Sequence, residues 1–201
     1  MEQYTVTITR QFGSLGRPIA KALAEMLGIE YYDREIVEAT AKKMGLPVSV
    51  ISDQEETVKS VFFKMGFPLG MGSTEQQLEI FNEQAKIISD LAAKQSCIIV
   101  GRCSDYILRN NKNCVNVFIY APYEARLRNC VDILHMKENE AKQMLAKVDK
   151  ARDYYHKTFA KFAPGDYEHK DVLIDSSLLG IDGTAKILAE IVRARFLMER
   201  C

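Results

Sequence analysis

Between Thr9 and Leu27 the chain reads TRQFGSLGRPIAKALAEML. Within it Gly13, Ser14, Gly16 and Arg17 bring flexible backbone, hydrogen-bond donors and a permanent cation into five consecutive residues. That combination suits a phosphate group. In the loop pattern G-x-x-x-x-G-K-[ST], backbone N–H groups and the positive end of the following helix hold the phosphate, the lysine bridges its outer groups, and the hydroxyl reaches magnesium. Here Gln11 stands at the first glycine, Gly16 at the second, Arg17 at the lysine and Pro18 at the hydroxyl, so one of four fixed positions is kept. A guanidinium can hold phosphate, but its planar fork is no simple replacement for a lysine that follows a moving phosphoryl group. Pro18 offers no oxygen side chain, so a magnesium ion would need water, the nucleotide or another residue. A plain strand-to-helix turn with proline in its first helical turn is the competing reading. Position favours the phosphate cradle, because the stretch follows the first strand and opens the first helix.

The elements that must position these residues follow from the pattern. Tyr4 to Thr9 alternates and is rich in β-formers, and the helical spacing of IAKALAEML runs to Gly28. IEYY is a short second strand. Asp33 is placed to cap REIVEATAKKM, which Gly45 closes. A short helix is expected from about Pro47 to Glu56, and Val58 to Thr74 reads as an insertion or flap carrying Phe62, Phe63 and Phe67. Glu75 to Lys94 is a long amphipathic helix, and SCIIVGR is an apolar strand of the kind buried on both faces. This second strand end also carries a glycine and a cation, Gly101 and Arg102. Then come a short helix around Asp105 to Leu108, the strand VNVFIYA, a helix from about Tyr123 to Val131, and a charged helical region from Lys137 to Lys161. The strand DVLIDSS and a helix from Ile181 to Glu199 end the pattern. Strands alternating with helices predict an α/β fold on a parallel sheet.

Bulk properties exclude several classes. Lys plus Arg and Asp plus Glu number 27 each, so no overall field points to a nucleic acid polymer or an anionic membrane. The five cysteines include no C-x-x-C pair, which suits reduced structural thiols better than disulfides or a zinc site. His135, His156 and His169 have neither metal-ligand spacing nor a nucleophile partner and read as ordinary surface or lid residues. The opening MEQYTVTITRQ passes straight into a strand-like pattern, and no run approaches a membrane span, so a soluble cytoplasmic protein is expected.

The string TITRQFGSLGRPIAKALAEMLGIEYYDREI, with IIVGRCSDYIL downstream and ARDYY before DVLIDSSLLGID, resembles the cytidylate kinase-like family, a branch of the P-loop nucleoside monophosphate kinases. The resemblance runs from about Tyr4 to Arg195. It implies a P-loop kinase-type three-layer α/β fold with a five-stranded parallel sheet, flanking helices and a helical lid. One domain, 1–201, would carry an acceptor-side insertion or flap at about 34–95 and a lid at about 126–165. It further implies ATP and Mg2+, with Gly13, Ser14, Leu15, Gly16, Arg17 and Pro18 as the nucleotide-phosphate loop. Members of the branch commonly carry R-Q-[YF]-G-S-G-G-R there, so Arg17 looks like a branch feature, while Leu15 replaces a glycine and stiffens the turn.

In true cytidylate kinases a Gly-Arg-Asp follows the strand matching CIIVGR, and its arginine grips the acceptor phosphate. Gly101 and Arg102 match; Cys103 stands at the aspartate, with Asp105 two residues on. A surface arginine after a buried strand is the alternative for Arg102. Those enzymes also use an arginine, an aspartate four residues later and an arginine three further on for cytidine monophosphate; Arg152 matches the first, but His156 and Phe159 occupy the others. Arg126 and Arg128 fall where the family places lid-edge cations, or are solvated helix residues. Asp33 either orients an acceptor or a magnesium-bound water, or serves as a helix cap.

The expectation is therefore ATP-dependent phosphoryl transfer to a nucleoside monophosphate or similar phosphorylated acceptor. Arg17, Arg126 and Arg152 would act on the transferring group, and Asp33, Arg102, Asp105 and Arg152 on the acceptor. Two alternatives stand beside it: a nucleotide-binding sensor or partner module with lost or weak transfer, and a kinase for a non-nucleotide acceptor.

Overall fold

The computed structural model describes residues 3–46, 48 and 74–197. Apart from Val48 and Thr74, the expected helix near 47–56 and the expected flap at 58–74 lie outside these residues.

Strand β1 (Thr5–Arg10) is buried along its whole length, as a central strand covered on both faces must be. Around it the sheet orders itself β2-β3-β1-β4-β5, every pairing parallel, with β2 at Glu30–Tyr32, β3 at Cys97–Val100, β4 at Cys114–Tyr120 and β5 at Val172–Asp175. Strand alternation divides the core into two layers of packing. Val6, Ile8, Ile98, Val100 and Ile119 meet Ile19 and Leu23 of helix α1 (Gly16–Leu27) on one face. On the other, Cys97 and Ile99 meet Ile36 of α2 (Arg34–Met44) and Ile88 of α3 (Thr74–Lys94). The result is the expected three-layer α/β arrangement.

The remaining helices are α4 (Ser104–Ile107), α5 (Tyr123–Arg128), α6 (Glu138–Phe159) and α7 (Gly180–Phe196). Leu188 and Val192 of α7 complete the layer against α1. The helix expected through Val131 instead widens at Asn129–Ile133 into a π-turn. That turn carries the Asn129 amide to the Gly13 carbonyl at 2.9 Å and buries Cys130 beside Gly13. Burial pushes the Cys97 and Cys130 thiols up to about 11 and that of Cys114 to about 12, in keeping with structural rather than reactive thiols.

His156 departs from its expectation. It is buried, not a surface residue, and its two ring nitrogens face acceptors: Nδ1 the Phe162 carbonyl at 2.9 Å, Nε2 the two Asp105 oxygens at 3.1 and 3.0 Å. The fully buried Lys170 ammonium donates to the same carboxylate. Phe162 closes the cluster, set edge-on to His156 and stacked with His169. Beside it Phe159 stacks on Phe81 of α3 with centroids 4.3 Å apart, and Tyr155 donates to Gln84 at 3.0 Å. Together these contacts fix the end of α6 to α3 and α4.

Two measurements test this packing. Leu188→Ala removes a fully buried side chain between α1 and α7 and should lower unfolding free energy in urea by about 2–5 kcal/mol; a smaller loss would mean that the layer collapses to refill the space. Burial alone would raise the Asp105 carboxyl, but His156 and Lys170 together outweigh it and hold it at about 2, against 3.8 for the free group. Its contribution, about 2 kcal/mol, is complete above pH 3.8 and disappears as pH falls through 2. Wild type should therefore show a steeper loss of stability over that interval than Asp105→Asn, which starts less stable at neutral pH; parallel curves would refute the linkage.

Candidate functional site

Residues 11–16 turn over the C-terminal end of β1, and their own packing explains the sequence. Gly13 has φ +75°, and a Cβ there would come within 2.8 Å of the Arg126 carbonyl, so a side chain is excluded twice. Ser14 is fully buried; its hydroxyl reaches the carbonyls of Gln11 and Ile119 at 2.9 and 3.1 Å, while its own carbonyl accepts from Ser176 at 2.7 Å. Leu15 takes φ +59° and sends its side chain into the core. Ser14 thus has its hydroxyl, N–H and carbonyl engaged within the fold, and Leu15 turns its side chain away from a ligand. Gly16 opens α1, whose N-terminal N–H groups face the same opening.

That opening is a cleft of about 370 Å³, lined by the loop, by Arg10 and Arg17, by Pro18 and by Arg152. Arg152 reaches it from α6, donating Nη1 to the Arg10 carbonyl at 3.0 Å.

Asp33 sits beside the cleft with 3% of its side chain exposed. It occupies the cap position of α2, yet its carboxylate makes no capping bond, contrary to that reading. Glu35 accepts from the Asp33 N–H instead, at 3.0 Å. The Asp33 carboxylate accepts from Arg17 Nε at 2.6 Å and from the Tyr31 hydroxyl at 3.1 Å. Burial alone would raise its pKa; the nearby guanidinium groups of Arg10, Arg17 and Arg102 outweigh that and hold it below the ordinary carboxylate range. Burial and the Asp33 charge in turn keep the Tyr31 hydroxyl protonated.

Gly101, Arg102 and Cys103 carry φ of +76°, +59° and +53°, a left-handed turn at the end of β3. It holds Arg102 buried within electrostatic reach of Asp33, not splayed into solvent as a surface arginine would be.

The other expected residues are placed differently. Arg126 Nη1 bonds Asp149 at 2.5 Å and the Phe12 carbonyl at 3.2 Å, and Asp149 accepts from the Phe12 N–H at 2.7 Å. In this arrangement Arg126 braces the loop from behind, while Arg128 is exposed. Asp105 lies in the buried cluster with His156 and Lys170, away from the residues that line the cleft.

Arg10 is the residue that sequence reasoning passed over. The available signal was its place in β1, two residues after Ile8 and four after Val6. A cation on the apolar face of a buried strand, next to a glycine turn, implies an ion pair or a ligand.

No group of three or more His, Cys, Asp or Glu stands together among the described residues. Pro18 has no side-chain oxygen, the Ser14 hydroxyl is turned inward and Asp33 is bound to Arg17. No helix among the described residues is long and apolar enough to cross a membrane.

Comparison with known proteins accords with this geometry. A crystal structure of an uncharacterized protein from Eubacterium ventriosum is 24% identical, with a TM-score of 0.69 over 98% of this chain and 100% of that one. Shikimate kinase from Bacteroides thetaiotaomicron aligns at 10% identity, TM-score 0.55, over 97% and 99% of the two chains. A gluconokinase from Sinorhizobium meliloti aligns at 12% identity, TM-score 0.52, over 98% of each. These likenesses establish a kinase-type fold. No curated protein matches the chain in sequence. The model of the cytidylate kinase-like family matches residues 5–178, and with that span covering most of its length the chain belongs to the cytidylate kinase-like family.

Proposed function

We propose that the protein transfers the γ-phosphoryl group of MgATP to a nucleoside monophosphate, as a cytidylate kinase-like enzyme. The observation that carries this reading is the cleft that Gly13, Leu15 and Gly16 of the loop line together with Arg10, Arg17 and Arg152 at the C-terminal end of β1, where α/β sheets take ligands. Its volume of about 370 Å³ lies within the span of roughly 300–1,000 Å³ usual for small-molecule sites.

In the reaction the γ-phosphorus exchanges its bond to the oxygen shared with the β-phosphate for a bond to an acceptor phosphate oxygen. The electron pair of the broken bond stays on ADP, and an acceptor oxygen that is already ionised gives up no proton. Catalysis then consists of positioning and charge neutralisation. The loop N–H groups and the start of α1 hold the donor phosphates. Arg17, whose side chain is 41% exposed and paired through Nε with Asp33, turns from that pairing to reach them. Arg102 and Arg152 hold the acceptor phosphate, each anchored by its own backbone turn or helix.

One observation favours the alternative of a nucleotide sensor: the Arg17–Asp33 pair at 2.6 Å holds the loop cation toward the acceptor side. Phosphoryl transfer would require that cation to turn toward the nucleotide, whereas simple binding would not.

A MgATP assay against a panel of nucleoside monophosphates decides between them. The kinase reading expects turnover with at least one acceptor, and a fall of at least about 100-fold in kcat/KM for Arg17→Ala with the thermal unfolding transition retained. Nucleotide binding with no product from any acceptor would leave the sensor; unchanged turnover in Arg17→Ala would remove Arg17 from the mechanism.

A further inference from the structure

We infer that Arg10 is a catalytic residue: its guanidinium is the fixed cation that touches the phosphoryl group in transit between the donor loop and the acceptor turn. This rests on the kinase reading above. The path of the side chain is defined by two glycines. A Cβ on Gly16 would lie 2.7 and 2.8 Å from Arg10 Cβ and Cγ, and a Cβ on Gly101 would lie 2.6 Å from Arg10 Nη1. The stem therefore passes against the first residue of α1, and the guanidinium ends against the first residue of the Gly101–Arg102–Cys103 turn. At Gly16, where the contact is with the start of the Arg10 side chain, only glycine admits so close an approach; at Gly101 the contact is with the guanidinium end, and the left-handed backbone favours glycine.

The two ends of that span are the two phosphate-binding elements. Arg10 also lines the cleft with Gly13, Gly16 and Arg17. Its backbone carbonyl accepts from Arg152, so the strand end that carries it is held from the far wall as well. Charge developing on a transferring phosphoryl group spreads over its equatorial oxygens, and a planar fork already in place between the subsites meets them without reorganisation.

Arg10 and Arg17 divide what one lysine does in the G-x-x-x-x-G-K-[ST] loop. Arg17 is 41% exposed and paired through Nε with Asp33. Arg10 is 8% exposed, wedged between two glycines, and lies on a central strand. A cation held in so dry a place acts more strongly on the transferring group than an exposed one. Asp33, within the field of both arginines and of Arg102, keeps the three cations together when the cleft is empty.

The rival account is that Arg10 is only a brace between the two turns. Arg10→Met keeps most of the stem and removes the charge; Arg10→Lys restores a charge without the fork. In the full chain, with MgATP and cytidine monophosphate, Arg10→Met should lower kcat at least about 100-fold while KM for ATP stays within about threefold. Arg10→Lys should regain at least about tenfold of that loss, at a melting temperature like that of Arg10→Met. A kcat loss below about tenfold in Arg10→Met, or equal inactivity of both variants with equally lowered melting temperatures, would overturn the proposal. Should wild type turn over no acceptor at all, the kinase reading fails by itself, and Arg10 is judged on equilibrium binding of inorganic tripolyphosphate, which spans both subsites. Weakening by at least about tenfold in Arg10→Met then upholds the cation's place between the subsites, and a smaller change, or no binding by wild type, overturns it.

Discussion

A carboxylate with almost no access to water organises this molecule. Stripped of partners, a buried Asp33 would cost several kcal/mol, and it is tolerated because Arg10, Arg17 and Arg102 bring their charges to it. Those cations are far apart in sequence; the sheet gathers them. In the order β2-β3-β1 the C-terminal ends of three parallel strands lie side by side, and each contributes one part: Asp33 after β2, Arg102 after β3, Arg10 at the end of β1. Adjacent strands are about 4.8 Å apart, so side chains from all three ends can share one carboxylate. An antiparallel partner at either position would have sent its end to the opposite edge.

The turns after β1 and β3 both contain non-glycine residues in left-handed backbone, Leu15 in one and Arg102 with Cys103 in the other. Each such residue costs roughly 1–2 kcal/mol. For Leu15 the offset is visible: its side chain is 7% exposed in the main core, and burying a leucine contributes about 2 kcal/mol. The cost and the gain nearly cancel, which is how a loop whose family relatives use glycine can carry leucine and still hold its shape. Cys103, 3% exposed against Phe81 and Ala160, balances in the same manner. Arg102 has no such apolar return. Its left-handed backbone keeps its charge within reach of Asp33.

How much of this was legible in the sequence depends on range. Every element with local signals stood out: the strand, glycine turn and helix around Gly13 to Gly28, the apolar CIIV, and the long helices ending near Lys94 and Phe159. So did Gly101 and Arg102, because a glycine and a cation at a buried strand's end is a local pattern. Polar partnerships between distant segments were not legible. Asp33 has a sufficient local reason to exist as a cap, and only the fold shows that its carboxylate goes to Arg17 and Tyr31 while Glu35 takes over at the helix start. His156 looks like one more hydrophilic residue of a charged helix until Asp105 and Lys170, 51 residues before it and 14 after, close around it. Arg126 follows the same logic, since nothing near it in sequence announces Asp149. Arg10 is the exception, a signal that was local and was missed because a strand's last residue is ordinarily taken as solvated.

Helix α6 shows how those distant pairings combine. Asp149, Arg152 and His156 fall at i, i+3 and i+7, one stripe along a helix, and each is tied to a segment at or just beyond the end of a strand. Asp149 accepts from the Phe12 N–H, Arg152 donates to the Arg10 carbonyl, and His156 meets Asp105 just beyond the Gly101–Cys103 turn. Hydrogen bonds to charged groups contribute roughly 1.5–3 kcal/mol each. Lifting α6 as a rigid body would break all three, together with the Phe81–Phe159 stack, and would consume much of the ~5–15 kcal/mol that stabilises a typical domain. The C-terminal half of α6 therefore belongs mechanically to the sheet. It joins the loop at Phe12, the strand end at Arg10 and helix α4 to one another.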